Sequence, residues 1–163
     1  MSEFEILVAT DLTEKSLSLL NDNGIKVNIV TPTVQHVREG LKSAHALIAR
    51  DDVPVDAPLL ENAPKLRVIG RIGANLSGID VECATSRGII VMNTPGANAI
   101  AAGEHTLALM LALSRRLVTA HNSLRDGYWL LDRKRQAGTQ LHGKTLGLIG
   151  AGRVGQTVAH RAL

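Results

Sequence analysis

Short apolar runs alternate with polar stretches of helical period over the first 95 or so residues. The apolar runs fall at residues 4–9, 25–30, 46–49, 66–70 and 89–92, each of strand length and each bounded by turn-forming residues. Between them, Asp11 and Glu14 have capping-box spacing for a helix that Gly24 is placed to end. Residues 33–43 predict a second helix with Val34, Val37 and Leu41 on one face. Asp56 caps a brief helix through Leu59 and Leu60 that stops before Pro64, and residues 80–86 predict a helix closed by Gly88. Repeated strand–helix–strand units with short loops imply a parallel sheet joined by right-handed crossovers. The stretch to about Pro95 is therefore expected to be a complete small α/β domain.

The pattern then changes. After a turn at Asn93-Thr94-Pro95-Gly96, residues 98–124 predict one long helix ended by Gly127. Ile100, Leu107, Leu111 and Val118 recur at helical intervals, and the centre is apolar nearly all round. Such a helix is expected to be buried on several sides, between domains or between subunits. Residues 128–140 are polar and loop-like, and residues 145–149 predict a last strand.

That strand runs into Gly150-Ala151-Gly152-Arg153-Val154-Gly155, followed by a helix-like stretch to Leu163. Gly-x-Gly-x-x-Gly alone is a weak signal, but here it follows an apolar strand and opens a helix, the setting of a dinucleotide-binding turn. The first glycine allows the tight turn, Gly152 lets backbone approach a pyrophosphate, and Gly155 lets the helix pack close to the strand. Free amides at the helix start then face the phosphates. The plainer alternative is a strand–turn–helix whose glycines serve packing only.

Composition narrows the class. At 163 residues the chain fits one ordinary domain, or a small domain plus part of another. With 45% hydrophobic but only 2% aromatic residues, the core must be built of Val, Ile, Leu and Ala, which favours buried parallel strands. The formal charge of +3 is mild. The clusters Arg115-Arg116 and Arg133-Lys134-Arg135 lack stacking aromatics, so no nucleic-acid groove is expected. Cys83 is the only cysteine, which excludes an intrachain disulfide and a thiolate metal site and fits a reducing cytoplasm. The acidic start of the chain lacks the features of a signal peptide, the apolar run at residues 107–113 is too short to span a membrane, and no His-Glu-x-x-His spacing suggests zinc.

Four stretches taken together, residues 66–73, 88–98, 103–109 and 141–155, resemble the N-terminal half of a D-isomer-specific 2-hydroxyacid dehydrogenase, close to the phosphoglycerate dehydrogenase branch. The resemblance covers essentially the whole chain and is specific from about Ala44 onward. It implies an α/β protein: a flavodoxin-like parallel-sheet substrate domain over residues 1–97, then the truncated start of a Rossmann nucleotide-binding domain over 98–163. It implies a NAD cofactor, with NADP also open, a small anionic 2-hydroxy or 2-oxo acid as substrate, and a homodimer through the 98–124 helix in the cytoplasm. Membrane and nucleic acid are not expected partners.

Family roles carry over position by position. Arg50 matches a substrate-contacting residue, with a surface arginine at a strand end as the bland alternative. Ala74 and Asn75 match a loop whose backbone amides hold the substrate carboxylate, with Ala74 also near the cofactor. Asn98 matches a substrate-binding polar residue at the hinge facing the cleft, with a helix N-cap as the bland alternative, and the two roles are compatible. Thr106 matches a residue near the nicotinamide, or bonds its own helix. Gly150, Gly152, Arg153, Val154 and Gly155 match the pyrophosphate loop.

Several positions depart from the family pattern. Asn75 stands in place of a glycine; Asn tolerates a left-handed backbone, so the turn is expected to survive. Ser77 and Gly78 replace an Asp-Asn pair, and Ala99 replaces a Thr. Asp51 stands where Ser is usual, beside Arg50, where it repels an anionic substrate or pairs with the arginine. This argues against phosphoglycerate itself. The family's catalytic Arg, Glu and His have no counterpart here, and the same is true of the ribose-binding acid about 20 positions past the glycines. His105 and His142 are read as packing or surface residues. The expectation is a truncated, inactive dehydrogenase with an open edge at residues 145–149 and an uncovered long helix; the alternative is a non-catalytic dimerising or regulatory module on the same scaffold.

Overall fold

The five apolar runs become five parallel strands in the computed structural model, which describes residues 4–163 apart from the side chain at position 132. Residues 1–3, part of the acidic start, lie outside the described residues. The strands are β1 (Glu5–Ala9), β2 (Lys26–Ile29), β3 (Ala46–Ala49), β4 (Val68–Arg71) and β5 (Ile90–Asn93). Their order is β2-β1-β3-β4-β5, the flavodoxin-like winding in which strand order reverses between β1 and β3.

Alternation along β1 sends its side chains to two layers. Leu7 and Ala9 join Val37, Leu41, Leu59, Leu60 and Ala84 on one face, while Ile6 and Val8 meet Leu12 and Leu20 on the other. The first layer is supplied by α2 (Val34–Gly40), α3 (Ala57–Glu61) and α4 (Val81–Ser86), and the second by α1 (Glu14–Asp22). At Gly40 the helix lies so close to β1 that an added Cβ would come 2.4 Å from Leu7 Cδ1.

Local chemistry explains the helix starts. Thr33, Asp56 and Asp80 are N-caps, and Leu59 N–H donates to Asp56 Oδ1 at 3.0 Å. The first helix differs from the reading based on Asp11. It is capped by Thr13, whose Oγ1 accepts from Ser16 N–H at 3.3 Å, and Asp11 takes no part. Gly24 and Gly88 have φ of +70° and +69° at the ends of α1 and α4, as turns there require.

The chain divides into two compact units, Met1–Pro95 and Gly96–Leu163. The second contains α5 (Ala99–Ser114), α6 (Leu117–Arg125), α7 (Trp129–Asp132) and α8 (Arg153–Ala162). Close packing of α5 on α8 is possible because position 103 is glycine: a Cβ there would sit 2.4 Å from Thr157 Cγ2.

Three expectations for this unit are corrected. The long helix is two helices, broken at Arg116, whose φ is +51°. The break follows from the 136–140 loop: Thr139 N–H donates to the Ser114 carbonyl at 2.7 Å, and Gly138 packs against Ser114 O. That carbonyl caps the loop, and no glycine or proline marks the spot in sequence. Residues 128–140 also carry the short helix α7. Residues 145–149 do not form a strand, because among the described residues no strand lies beside them to share a hydrogen-bond ladder. Within the chain the buried residues of α5 are Ala99 and Gly103, and much of its apolar surface, including Leu109, Leu111 and Leu113, is exposed.

Candidate functional site

In open parallel sheets, ligands bind outside the carboxyl ends of the strands, because loops there can vary without disturbing the sheet. At that edge of the first unit, Arg71 closes β4 and is 3% exposed. Its Nη1 donates to the Arg50 carbonyl at 2.7 Å and its Nη2 to the Ser77 carbonyl at 2.5 Å. A buried guanidinium with carbonyl partners is thus the clasp that joins the end of β3 to the 73–78 loop. The apolar run at 66–70 stops short of Arg71 and gives it no role; an arginine directly after such a run is the signal that could have found it.

The 73–78 loop is tied to the end of β5 as well. Gly73 N–H donates to Thr94 Oγ1 at 3.1 Å, Thr94 N–H to Gly73 O at 3.1 Å, and Asn93 Nδ2 to Ala74 O at 3.1 Å. Among the described residues, the Ala74 and Asn75 amides donate to nothing. Two adjacent exposed N–H groups on a clamped loop can hold a carboxylate without rearrangement. Asn75 itself is not left-handed, contrary to expectation, since the one positive-φ non-glycine among the described residues is Arg116. Its side chain makes the turn instead: Oδ1 accepts from Ser77 N–H at 3.2 Å and from the Ser77 hydroxyl. Within the loop the positive φ falls at Gly78, at +80°.

Arg50 is exposed at the end of β3 and lines a cavity of about 570 Å³ with Thr10, Asp11, Thr31, Asp51 and Asp52. Among the described residues no cation pairs with these three carboxylates.

In the second unit the three fingerprint glycines have different physical reasons. Gly150 has φ +96°, which a side chain rarely tolerates. At Gly155 a Cβ would sit 2.4 Å from the Gly150 carbonyl oxygen, so the helix start can approach the loop only without one. Gly152 has neither reason. Its φ is −70°, and an added Cβ meets nothing within 4 Å. The space beside it is kept clear by the lack of a side chain, as an approaching phosphate requires. Gly152 is also the N-cap of α8 and offers no side-chain bond, so the Arg153, Val154 and Gly155 amides are free for an anion. The loop is braced by Gln156 Nε2, which donates to Ala151 O at 2.8 Å. This donor set fits a dinucleotide pyrophosphate. The Arg153 side chain lies against Gly96, where a Cβ would be 3.3 Å from its Cδ.

Asn98 is exposed at the N-cap of α5, and its side chain makes no capping bond. Thr106 is exposed on the same helix, and its hydroxyl donates to Ala102 O at 2.8 Å, leaving its lone pairs free to accept. Among the described residues no group of His, Cys, Asp and Glu could hold a metal ion, and no helix is long and apolar enough to cross a membrane.

Comparison with known proteins adds a consistent picture. Residues 6–160 match the family described as D-isomer specific 2-hydroxyacid dehydrogenase, catalytic domain. D-3-phosphoglycerate dehydrogenase from Methanocaldococcus jannaschii is 45% identical over 159 residues, covering 97% of this chain and 30% of the relative. A crystal structure of a Thermus thermophilus protein superposes with a TM-score of 0.88 at 35% identity, covering 98% of this chain and 52% of that one. The NADPH-dependent glyoxylate/hydroxypyruvate reductase of Sinorhizobium meliloti, solved in complex with NADP and malonate, gives a TM-score of 0.75 at 27% identity, covering 98% and 50%. The chain thus spans about a third of the curated relative's length and about half of these solved chains.

Proposed function

Since the chain belongs to the D-isomer specific 2-hydroxyacid dehydrogenase family, we propose that it binds a small 2-hydroxy or 2-oxo acid at the carboxyl edge of its sheet and a nicotinamide dinucleotide at the 150–155 loop. The observation that supports this reading is Gly152: neither backbone conformation nor packing demands a glycine there, and the open space beside it would admit a phosphate to the α8 amides. The cofactor in this reading is NAD, and the loop holds the pyrophosphate common to NAD and NADP.

When bound, the nicotinamide supplies the hydride acceptor or donor for the carbon that bears the hydroxyl. The chain's own residues bind and orient. The Ala74 and Asn75 amides hold the substrate carboxylate, and Arg71 keeps their loop in place by fixing the Ser77 carbonyl. Arg50 offers a positive charge to the substrate from the end of β3. The α8 amides hold the pyrophosphate, and Asn98 and Thr106 supply polar contacts from α5. The proton-transfer step is assigned to no side chain of this chain.

The same reading gives the apolar α5 a partner. Leu109, Leu113, Leu117 and Val118 are exposed around the break at Arg116, and Leu113 is 83% exposed. A second copy of the chain would cover them, as in a homodimer.

The direct test is titration of the ¹⁵N-labelled chain with NAD and with ADP-ribose. Saturable shifts of the 150–155 amides are expected from both ligands, because both carry the pyrophosphate. Unmoved loop resonances at millimolar ligand refute the cofactor reading.

A further inference from the structure

Among the groups on the carboxyl edge, the cavity lined by Thr10, Asp11, Thr31, Arg50, Asp51 and Asp52 has the wrong charge for a phosphate. It opens at the ends of β1, β2 and β3, beside the point where strand order reverses, where open parallel sheets take their ligands. Phosphate-binding sites gather arginines or helix amides around the anion. Here a single guanidinium faces three carboxylates.

The arrangement is held in place. The Arg50 carbonyl is bonded by buried Arg71 at 2.7 Å, and Val53 and Val55, just past the acidic pair, are fully buried. The Asp51-Asp52 turn is therefore pinned on both sides. Asp11 is free to face the cavity because Thr13 caps α1 in its place. Thr10, which is largely buried, and Thr31 add hydroxyls suited to an uncharged polar group.

We propose that Asp11, Asp51 and Asp52 make this chain select a 2-hydroxy acid whose distal end is uncharged and reject one carrying a distal phosphate. The inference rests on the dehydrogenase reading above and sets the chain apart from relatives named D-3-phosphoglycerate dehydrogenase. The groups are exposed, so water and salt screen them, and the discrimination is moderate: about tenfold, or about 1.4 kcal/mol.

The experiment is an NMR titration of the whole chain with D-glycerate, 3-phospho-D-glycerate and inorganic phosphate. D-glycerate is expected to shift the Arg50, Ala74 and Asn75 amides, with the phosphorylated acid binding about tenfold more weakly. In Asp51→Asn/Asp52→Asn the phosphorylated acid gains about tenfold and glycerate less than about twofold, and inorganic phosphate now shifts Arg50. Asp51→Ser alone gives a smaller gain of the same sign, and melting curves verify that each variant folds. Wild-type chain that binds the phosphorylated acid as tightly as glycerate overturns the proposal, as does a double variant that gains equally for both. If neither acid moves the 73–75 amides, the substrate reading itself fails and the inference falls with it.

Discussion

Replacing Gly155 by alanine places a methyl carbon 2.4 Å from the Gly150 carbonyl oxygen and 3.3 Å from its carbon. The obstacle is backbone, so no side chain can turn aside, and the start of α8 must retreat by roughly 1 Å to restore van der Waals separation. Retreat disturbs the Gly103–Thr157 contact with α5 and the seat of buried Val158. Overpacking of this kind costs about 1–3 kcal/mol. Alanine recovers up to about 1 kcal/mol of helix propensity. With that recovery subtracted in full, the net loss is up to about 2 kcal/mol. Gly152→Ala meets no such contact. Its φ of −70° suits alanine, and the unfolded-state gain of about 0.4–1 kcal/mol offsets a poorer N-cap of similar size. Stability should therefore barely change. Dinucleotide binding should nevertheless fall by more than about tenfold, because the methyl keeps the pyrophosphate from the α8 amides, whose charge-assisted bonds are worth about 1.5–3 kcal/mol each. Melting curves and calorimetric titration with ADP-ribose separate the two effects. The reasoning is refuted if Gly152→Ala melts as low as Gly155→Ala, or binds the dinucleotide as well as wild type does.

Three further changes test the frame. Arg71→Met removes two charge-assisted bonds and strands the Arg50 and Ser77 carbonyls; a loss of about 3–5 kcal/mol is expected in urea unfolding, and less than about 1 kcal/mol would show that the clasp is idle. Asp56→Ala deletes the α3 cap and should cost about 1 kcal/mol, read from the same unfolding curves. Leu113→Glu, at a site 83% exposed, should leave the melting of the chain nearly unchanged while shifting sedimentation toward monomer; unchanged association removes α5 as the dimer face.

The legible parts of this chain are those with local causes. Five strands and four of the helix positions followed from apolar runs and from turn and cap residues such as Gly24, Asp56 and Gly88, because each signal acts on its neighbours. Other features depended on distant residues. The break at Arg116 is set by a loop some 20 residues on, which takes the Ser114 carbonyl. Residues 145–149 have strand composition, yet a strand exists only with a partner, and composition says nothing about one. Arg71 lies just past the apolar run at 66–70 and has no visible role until the fold brings the Arg50 and Ser77 carbonyls to it. The cap of α1 is Thr13 and not Asp11, and Asp11 lines a cavity instead.

The same distinction separates what a fold requires from what a ligand requires. Gly150 is explained by its own backbone angle and Gly155 by a neighbour's carbonyl, so both would be needed in a protein that bound nothing. Asn75 makes the same point from the other side: its side chain and Gly78 make the turn of the loop, so a non-glycine residue at position 75 does not by itself abolish the loop's exposed amides. Of the three fingerprint glycines, Gly152 has an unstrained backbone, no close neighbour and a run of unengaged amides at the helix start ahead of it. A glycine costs conformational entropy in the folded chain that alanine would not. At Gly152 the N-cap role roughly offsets that cost, so the fold is nearly indifferent between glycine and alanine there, and a ligand that approaches the free amides of α8 would decide between them.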